Sequence, residues 1–273
     1  MLVSYQTSGT KPPLFFVHGL RGIMFAVGPR FARSLGPHQP VYVVNANGLD
    51  GQQPPEHVSE MVTAYLQEIR KVRPAGPLRI GGMCAGGFVA IELVRALRHD
   101  GRQTGPVILV DPPVIPAGYQ KRQDTIDVPA DLSGRLYQEV RSRYLEKTAD
   151  PDEYDDLPFD PHDPKQLHLA TVVAMRTMVA FARYVPRPFS DAVEVIVSKD
   201  RASVFLNPQM PWQNLLSGPS VVHIVPGRHA EIFRTHRATV ARLMRSMLEE
   251  GTASETPVEP IEAAAPLMGE AHQ

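Results

Sequence analysis

The stretch Leu78-Arg79-Ile80-Gly81-Gly82-Met83-Cys84-Ala85-Gly86-Gly87 places a cysteine between two glycines, each separated from it by one residue. Its apolar start indicates a strand, and the segment from Gly86 to Leu97 carries apolar residues at helical spacing. A nucleophile on a tight strand-to-helix turn needs small neighbours, because its backbone is strained and other backbone comes close. The helix that follows points free N–H groups and the positive end of its dipole at the sulfur, which favours the thiolate. The stretch therefore predicts an α/β fold with a nucleophile at Cys84.

The competing interpretation of Cys84 is a small buried packing residue, which is the commonest fate of a free cysteine. It is the only cysteine in the 273-residue chain, and it stands at the centre of the five-residue pattern. That position favours the nucleophile.

Further apolar runs on both sides of this stretch extend the fold. They are typical of strands buried on both faces of a parallel sheet, and helical patterns separate them. The runs cover residues 14–17, 41–44, 107–110, 193–197 and 221–225, and the other helical patterns cover residues 58–72 and 230–248. The sequence therefore predicts a mostly parallel central sheet flanked by helices.

The domain organisation follows from where this alternation stops. We expect one domain over residues 1–248, in which residues 112–190 form a helical lid insertion. The insertion opens with three prolines and contains helical stretches near 131–147 and 165–184, with an acidic loop between them. Residues 249–273, rich in Ala, Glu, Pro and Thr, are predicted to be a disordered tail.

Composition and charge exclude several function classes. A formal net charge of −1 gives no reason to expect nucleic acid or an anionic membrane as a partner. A single cysteine excludes an internal disulfide framework and a multi-cysteine metal site. The sequence carries neither a secretory signal pattern nor an apolar run of about 18 residues, so we expect a cytoplasmic protein. We also expect no metal and no cofactor of its own.

A cysteine nucleophile needs a base and a residue that orients the base. His229 lies just after the last strand, in Val225-Pro226-Gly227-Arg228-His229-Ala230, where such a fold presents its general base. Asp111 and Asp200 each follow a strand, and both preserve the chain order of nucleophile, acid and base. Asp111 is favoured because Asp-Pro-Pro ends its strand abruptly, and Asp200 stays open as the alternative.

An oxyanion hole requires two backbone N–H groups near the nucleophile. Ala85 directly follows Cys84 and is expected to supply one of them. The other is expected from Leu20, in the loop that follows Phe15-Phe16-Val17-His18-Gly19. His18 is expected to support that loop and not to react.

These motifs resemble those of the thioesterase domains of nonribosomal peptide and polyketide synthases. The likeness is dense over residues 2–111, through Pro12 to Gly19, Leu35 to Tyr42, Glu60 to Arg73 and Leu78 to Gly87, and looser over residues 190–248, through Gly227-Arg228-His229. Most members of that family have serine where this chain has Cys84. The resemblance implies an α/β-hydrolase fold, and it favours Asp111 as the acid. The chain begins close to the first strand of such a domain, so we expect a free-standing enzyme.

The resemblance also implies the reaction and its partners. We expect a carrier protein to present an acyl or peptidyl substrate as a phosphopantetheine thioester, which Cys84 accepts and then releases by hydrolysis, transfer or cyclisation. Two alternatives stay open. One is a small-molecule ester or lactone hydrolase resembling the dienelactone hydrolases, and the other is a non-catalytic protein that binds carrier proteins.

Overall fold

A computed structural model describes residues 2–24, 27–113, 134–148, 157–207 and 211–250. Within those residues the strands form a single seven-stranded sheet in the order β1-β3-β2-β4-β5-β6-β7. Strand β1 pairs antiparallel with β3, and every other neighbouring pair is parallel. The strands are Leu2–Gln6 (β1), Leu14–Val17 (β2), Val41–Val44 (β3), Arg79–Met83 (β4), Val107–Val110 (β5), Val193–Ser198 (β6) and Ser220–Val225 (β7).

Helices cover both faces of this sheet. Buried side chains of α2 and α3 pack on one face, and those of α1 and α8 pack on the other. Strand β2 shows the resulting alternation, because Phe15 belongs to the first core and Phe16 to the second. The helices are Pro29–Ser34 (α1), Val58–Val72 (α2), Gly86–His99 (α3), Arg135–Thr148 (α4), Pro164–Ala182 (α5), Lys199–Phe205 (α6), Pro211–Leu215 (α7) and Arg237–Glu250 (α8), and a 3₁₀ turn covers His229–Glu231. In the described segments, no helix is both long and apolar enough to cross a membrane.

The predicted α/β architecture is confirmed, and strands β2, β3 and β5 have the predicted bounds. Strand β1 and helices α1 and α6 were not predicted from the sequence. The prediction of one continuous helix over residues 230–248 is wrong, because the chain first forms the 3₁₀ turn and helix α8 begins only at Arg237. The carbonyl of Glu231 accepts N–H groups from residues 234, 235 and 236, which closes the chain into a turn before α8.

The predicted insertion contains both expected helical stretches, as α4 and α5. These two helices pack on each other around a separate apolar core that includes Val140, Tyr144 and Met175. Asp163, from the acidic segment, caps the start of α5, because its carboxylate accepts the Lys165 N–H at 2.8 Å. The other acidic-loop residues between 149 and 156 lie outside the described residues, as does the tail from residue 251. Helix α8 continues through Glu250, so residues 249 and 250 are helical and do not belong to the predicted disordered tail.

Candidate active site

Cys84 lies at the turn between β4 and α3, with a backbone φ of +51°. A Cβ on Gly82 would lie 2.3 Å from the Gly86 carbonyl oxygen, and a Cβ on Gly86 would lie 2.0 Å from the His18 carbonyl oxygen. Both contacts are far below a van der Waals distance and involve backbone atoms, so only glycine fits on either side of the cysteine. The Cys84 N–H donates to the Val110 carbonyl at 2.9 Å, which ties the turn to β5.

His229 faces this turn from the loop after β7. Its imidazole and the Cys84 thiol act on each other, and each group favours the charged form of the other. The Nδ1–H of His229 donates to Asp111 Oδ2 at 2.5 Å. Because Nδ1 bonds the carboxylate, Nε2 is the nitrogen that faces the sulfur. The two side chains predicted to act together are therefore in direct contact.

Asp111 is fully buried at the end of β5 and also has a positive φ, of +48°. Its Oδ1 accepts hydrogen bonds from the Ser198 N–H at 2.7 Å and the Ser198 hydroxyl at 2.8 Å. The alternative acid, Asp200, competes with Asp111 for the single proton of that hydroxyl, which lies 2.5 Å from Asp200 Oδ1, and it does not contact His229 in the described network. The structure thus places Asp111 in contact with the imidazole of His229, whereas Asp200 contacts Ser198 and not the imidazole.

The electrostatics of this cluster favour an ion pair between sulfur and imidazole. Burial by itself raises the pKa of the Cys84 thiol, but the hydrogen bond and charge of His229, the charge of Arg201 and the Ala85 N–H outweigh it, so the pKa is lowered. Burial lowers the pKa of His229, but its hydrogen bonds to Asp111 and Cys84 outweigh burial and raise the pKa to about 9. Both shifts favour a thiolate beside an imidazolium at neutral pH.

The loop predicted to complete the oxyanion hole adjoins the nucleophile. A Cβ on Gly19 would lie 3.8 Å from Cys84 Cβ, so the chain passes directly beside the cysteine just before Leu20. The backbone N–H of Ala85, the residue after Cys84, favours the ionised form of the thiol and so lowers its pKa. Ala85 thus adjoins the sulfur and Leu20 follows the residue that passes beside it, and the role of both N–H groups in binding an oxyanion stays a prediction.

His18 holds this loop from inside the protein. Its Nδ1 lies 2.7 Å from the Gly19 carbonyl oxygen and its Nε2 lies 2.7 Å from the Tyr65 hydroxyl. Complete burial lowers its pKa to about 4, so the ring is neutral at pH 7. A carbonyl only accepts, so Nδ1 carries the proton and Nε2 accepts from Tyr65. The ring of Phe181, from α5, lies against His18 and brings that helix to the same loop.

Three residues around the site were missed by the sequence analysis. Tyr65 occupies an apolar position of the α2 pattern and was interpreted as core. Ser198 and Arg201 contact Asp111 from the end of β6 and from α6, two elements that converge on it only in three dimensions. The sequence offers one indication of their role: Ser198 ends β6, and Asp111 directly follows the neighbouring strand β5.

A family model described as Thioesterase domain matches residues 12–152, which is more than half of the chain. The chain belongs to the thioesterase domain family. The matched range contains the glycine-flanked Cys84 and also Asp111, and it ends before the segment that carries His229.

Curated relatives of this thioesterase-family chain are much larger proteins. Malpibaldin synthetase of Mortierella alpina is 37% identical over 108 residues, which are 39% of this chain and 2% of that protein. Atromentin synthetase of Tapinella panuoides is 27% identical over an alignment of 276 positions, gaps included, that covers 91% of this chain and 28% of that protein. The chain thus spans less than a third of the length of either relative.

A solved structure of the Vlm2 thioesterase domain, bound with a dodecadepsipeptide, superposes with a TM-score of 0.68 at 23% identity. The superposition covers 90% of this chain and 98% of the Vlm2 domain. At this identity the likeness establishes the fold, and it confirms the predicted α/β-hydrolase architecture.

A cavity of about 670 Å³ lies elsewhere on this thioesterase-family domain, between α2, α3 and the segment after α5. Its lining includes Leu66, Ala96 and Tyr184, and none of the cysteine, histidine and aspartate described above. Its arginines pair with carboxylates, among them Glu92 and Asp100. The nucleophile, base and acid candidates thus lie at the turn that carries Cys84 and not in this cavity.

Proposed function

We propose that this domain is a thioesterase that takes an acyl or peptidyl chain from a carrier-protein phosphopantetheine thioester onto Cys84 and then releases it. The observation that carries the proposal is the contact chain from Cys84 through His229 to Asp111, built on a glycine-flanked turn in a member of the thioesterase domain family. The synthetase relatives support a substrate tethered to a carrier protein.

Acylation begins from the Cys84 thiolate and the His229 imidazolium. The sulfur attacks the thioester carbonyl carbon and forms a new carbon–sulfur bond, while the carbonyl oxygen takes the negative charge. The Ala85 and Leu20 N–H groups stabilise this oxyanion, at about 3 kcal/mol for each donor. Collapse of the intermediate breaks the bond to the carrier sulfur, and His229 gives its Nε2 proton to that leaving thiolate.

Release reverses the proton transfer. Neutral His229, held by Asp111, takes a proton from water, an amine or a hydroxyl, and that group attacks the Cys84 acyl thioester. The acyl–sulfur bond breaks and the Cys84 thiolate pairs again with the imidazolium. Acyl exchange between two thioesters is close to thermoneutral, so the chain stays activated on Cys84, which suits transfer and ring closure as well as hydrolysis.

One acyl chain presented in four forms tests this proposal. We expect turnover of the chain on a phosphopantetheinylated carrier protein, weaker turnover of its pantetheine thioester, and at least 100-fold lower kcat/KM for the oxygen ester and lactone. Cys84→Ala should abolish turnover of all of them, with its melting temperature as the control for folding. Turnover of the lactone alone would support a dienelactone-hydrolase-like enzyme.

The non-catalytic alternative makes a separate prediction. If the domain only binds carrier proteins, iodoacetamide should alkylate Cys84 no faster than it alkylates free cysteine at pH 7. We expect faster alkylation, because the ionised fraction of the thiol is raised by its neighbours.

A further inference from the structure

Arg201, on helix α6, reaches the backbone on which Asp111 is held. Its Nη1 donates to the carbonyl oxygen of Asp111 at 2.9 Å and to that of Pro112 at 3.3 Å. The same nitrogen lies 3.4 Å from Asp111 Oδ2, the oxygen that accepts from His229. The Arg201 side chain is only 22% exposed, so water screens this charge less than it would at the surface.

The contacts lie where the backbone of Asp111 is in the left-handed region. For a residue other than glycine this conformation costs about 1–2 kcal/mol, and surrounding contacts must hold it. The two carbonyl oxygens that Arg201 binds belong to Asp111 itself and to the next residue, Pro112. Together with Ser198, which binds the carboxylate from β6, Arg201 holds Asp111 by both its side chain and its backbone.

The charge of Arg201 acts on three groups from three other elements. It favours the ionised forms of Asp111, at the end of β5, and of Cys84, before α3. It disfavours the protonated form of His229, in the loop after β7. Both His229 and Arg201 act as cations on Cys84, while Asp111, through its hydrogen bond, and the Cys84 thiolate, through its charge, favour the protonated form of His229.

This pattern of effects suits sulfur better than oxygen. A serine hydroxyl is not ionised at rest, so its attack depends on a strong base, and a cation that weakens the base slows that proton transfer. A cysteine reacts as the thiolate, so a cation near the sulfur increases the fraction of the reactive form. A fixed positive charge at this position therefore matches a site that stores its nucleophile as an anion.

We infer that Arg201 is a positioning residue of this site: it braces the Asp111 turn through two carbonyl oxygens and holds a fixed positive charge 3.4 Å from Asp111 Oδ2, at the end of the chain of residues that leads through His229 to Cys84. The effect on turnover rests on the proposed function, whereas the effect on the thiol does not.

Alkylation by iodoacetamide as a function of pH tests the inference, because Cys84 is the only cysteine in the chain. Arg201→Lys keeps the charge, and Arg201→Gln keeps a donor for the carbonyl oxygens but removes the charge. We expect Arg201→Lys to leave the alkylation midpoint unchanged and Arg201→Gln to raise it by about half a pH unit or more, because the glutamine removes a unit charge from the network. Arg201→Met, which removes both donor and charge, should raise the midpoint at least as far.

Turnover and folding complete the experiment. On an acyl thioester, kcat/KM of Arg201→Gln should fall about tenfold at pH 7 and recover towards pH 9, while its melting temperature stays close to that of the wild type. If iodoacetamide alkylates the wild-type thiol no faster than it alkylates free cysteine, the proposed function is wrong. A reactive wild type with the same midpoint in all variants would overturn only the inference about Arg201, as would equal shifts in the lysine and glutamine variants.

Discussion

Replacing Asp111 with asparagine removes one charge from the centre of the hydrogen-bond network. Oδ1 accepts two hydrogen bonds from Ser198, at 2.7 and 2.8 Å, and Oδ2 accepts one from His229 at 2.5 Å. An amide has one oxygen, so it cannot accept on both sides. Either its NH₂ group faces His229 and forces the proton onto Nε2, or it faces the donors of Ser198 and leaves them unpaired.

The magnitude of the effect follows from the imidazole. Burial lowers the pKa of His229, but the hydrogen bonds to Asp111 and Cys84 raise it from 6.5 to about 9. A rise of the pKa from 6.5 to about 9 corresponds to about 3 kcal/mol, or about 300-fold. The imidazole is 31% exposed, and Cys84 also contributes to the raised pKa. About half of that energy, or about 20-fold, is therefore the smaller effect expected for Asp111 after screening by water.

We therefore expect kcat/KM of Asp111→Asn on an acyl N-acetylcysteamine thioester to fall between about 20-fold and about 300-fold at pH 7. Asp200→Asn is the matched control, because Asp200 contacts the same Ser198 hydroxyl but not His229, and its loss should stay below about threefold. The assay measures thiol release under pseudo-first-order conditions, with both melting temperatures recorded. Equal losses in the two variants, or a larger loss in Asp200→Asn, would refute the assignment of the acid.

Three further outcomes follow from the same contacts. Gly86→Ala should destabilise the fold by more than about 3 kcal/mol in urea unfolding, because the added Cβ would lie 2.0 Å from a backbone oxygen. Gly87→Ala should cost under about 1.5 kcal/mol, because its Cβ would meet only a leucine methyl at 3.1 Å. Similar values for the two variants would contradict this expectation. Tyr65→Phe should cost about 1–3 kcal/mol in the same measurement, because it leaves the buried Nε2 of His18 without its donor, and no change in stability would argue against that hydrogen bond. The pH profile of kcat/KM should fall on the basic side near pH 9, where His229 loses its proton, and a profile still rising at pH 10 would exclude the ion pair.

The turn that carries Cys84 and the central strands could be predicted because their signals are local. Gly82 and Gly86 are required because a Cβ at either position would lie 2.0–2.3 Å from a backbone oxygen. This requirement appears in the sequence as the spacing of the two glycines around Cys84. Strands buried on both faces leave continuous apolar runs, such as 14–17 and 107–110, that need no knowledge of their neighbours.

The residues alone favour Asp111 but leave Asp200 open, because both follow strands that lie side by side. Strands β5 and β6 are neighbours, so both carboxylates reach Ser198. What separates them is the positive φ of Asp111, which goes with a carboxylate turned to His229. Backbone conformation at one residue is not encoded in strand periodicity.

The error over residues 230–248 has a similar cause. Apolar residues at helical spacing continue through this segment, so periodicity predicts one helix. Side-chain interactions decide otherwise, because Glu231 accepts the Arg228 N–H at 2.8 Å and His229 is held by Asp111 from another element. Tertiary contacts therefore override the local pattern, at the loop that carries the base.

The covalent intermediate is the most direct test of the account. The protein is mixed with an acyl thioester, quenched in acid within one turnover and digested, and the peptides are analysed by mass spectrometry. We predict one acyl adduct, on the peptide that contains Cys84, which hydroxylamine removes and which is absent from Cys84→Ala. Turnover by Cys84→Ala, or an adduct on any other residue, would contradict the assignment of Cys84 as the nucleophile.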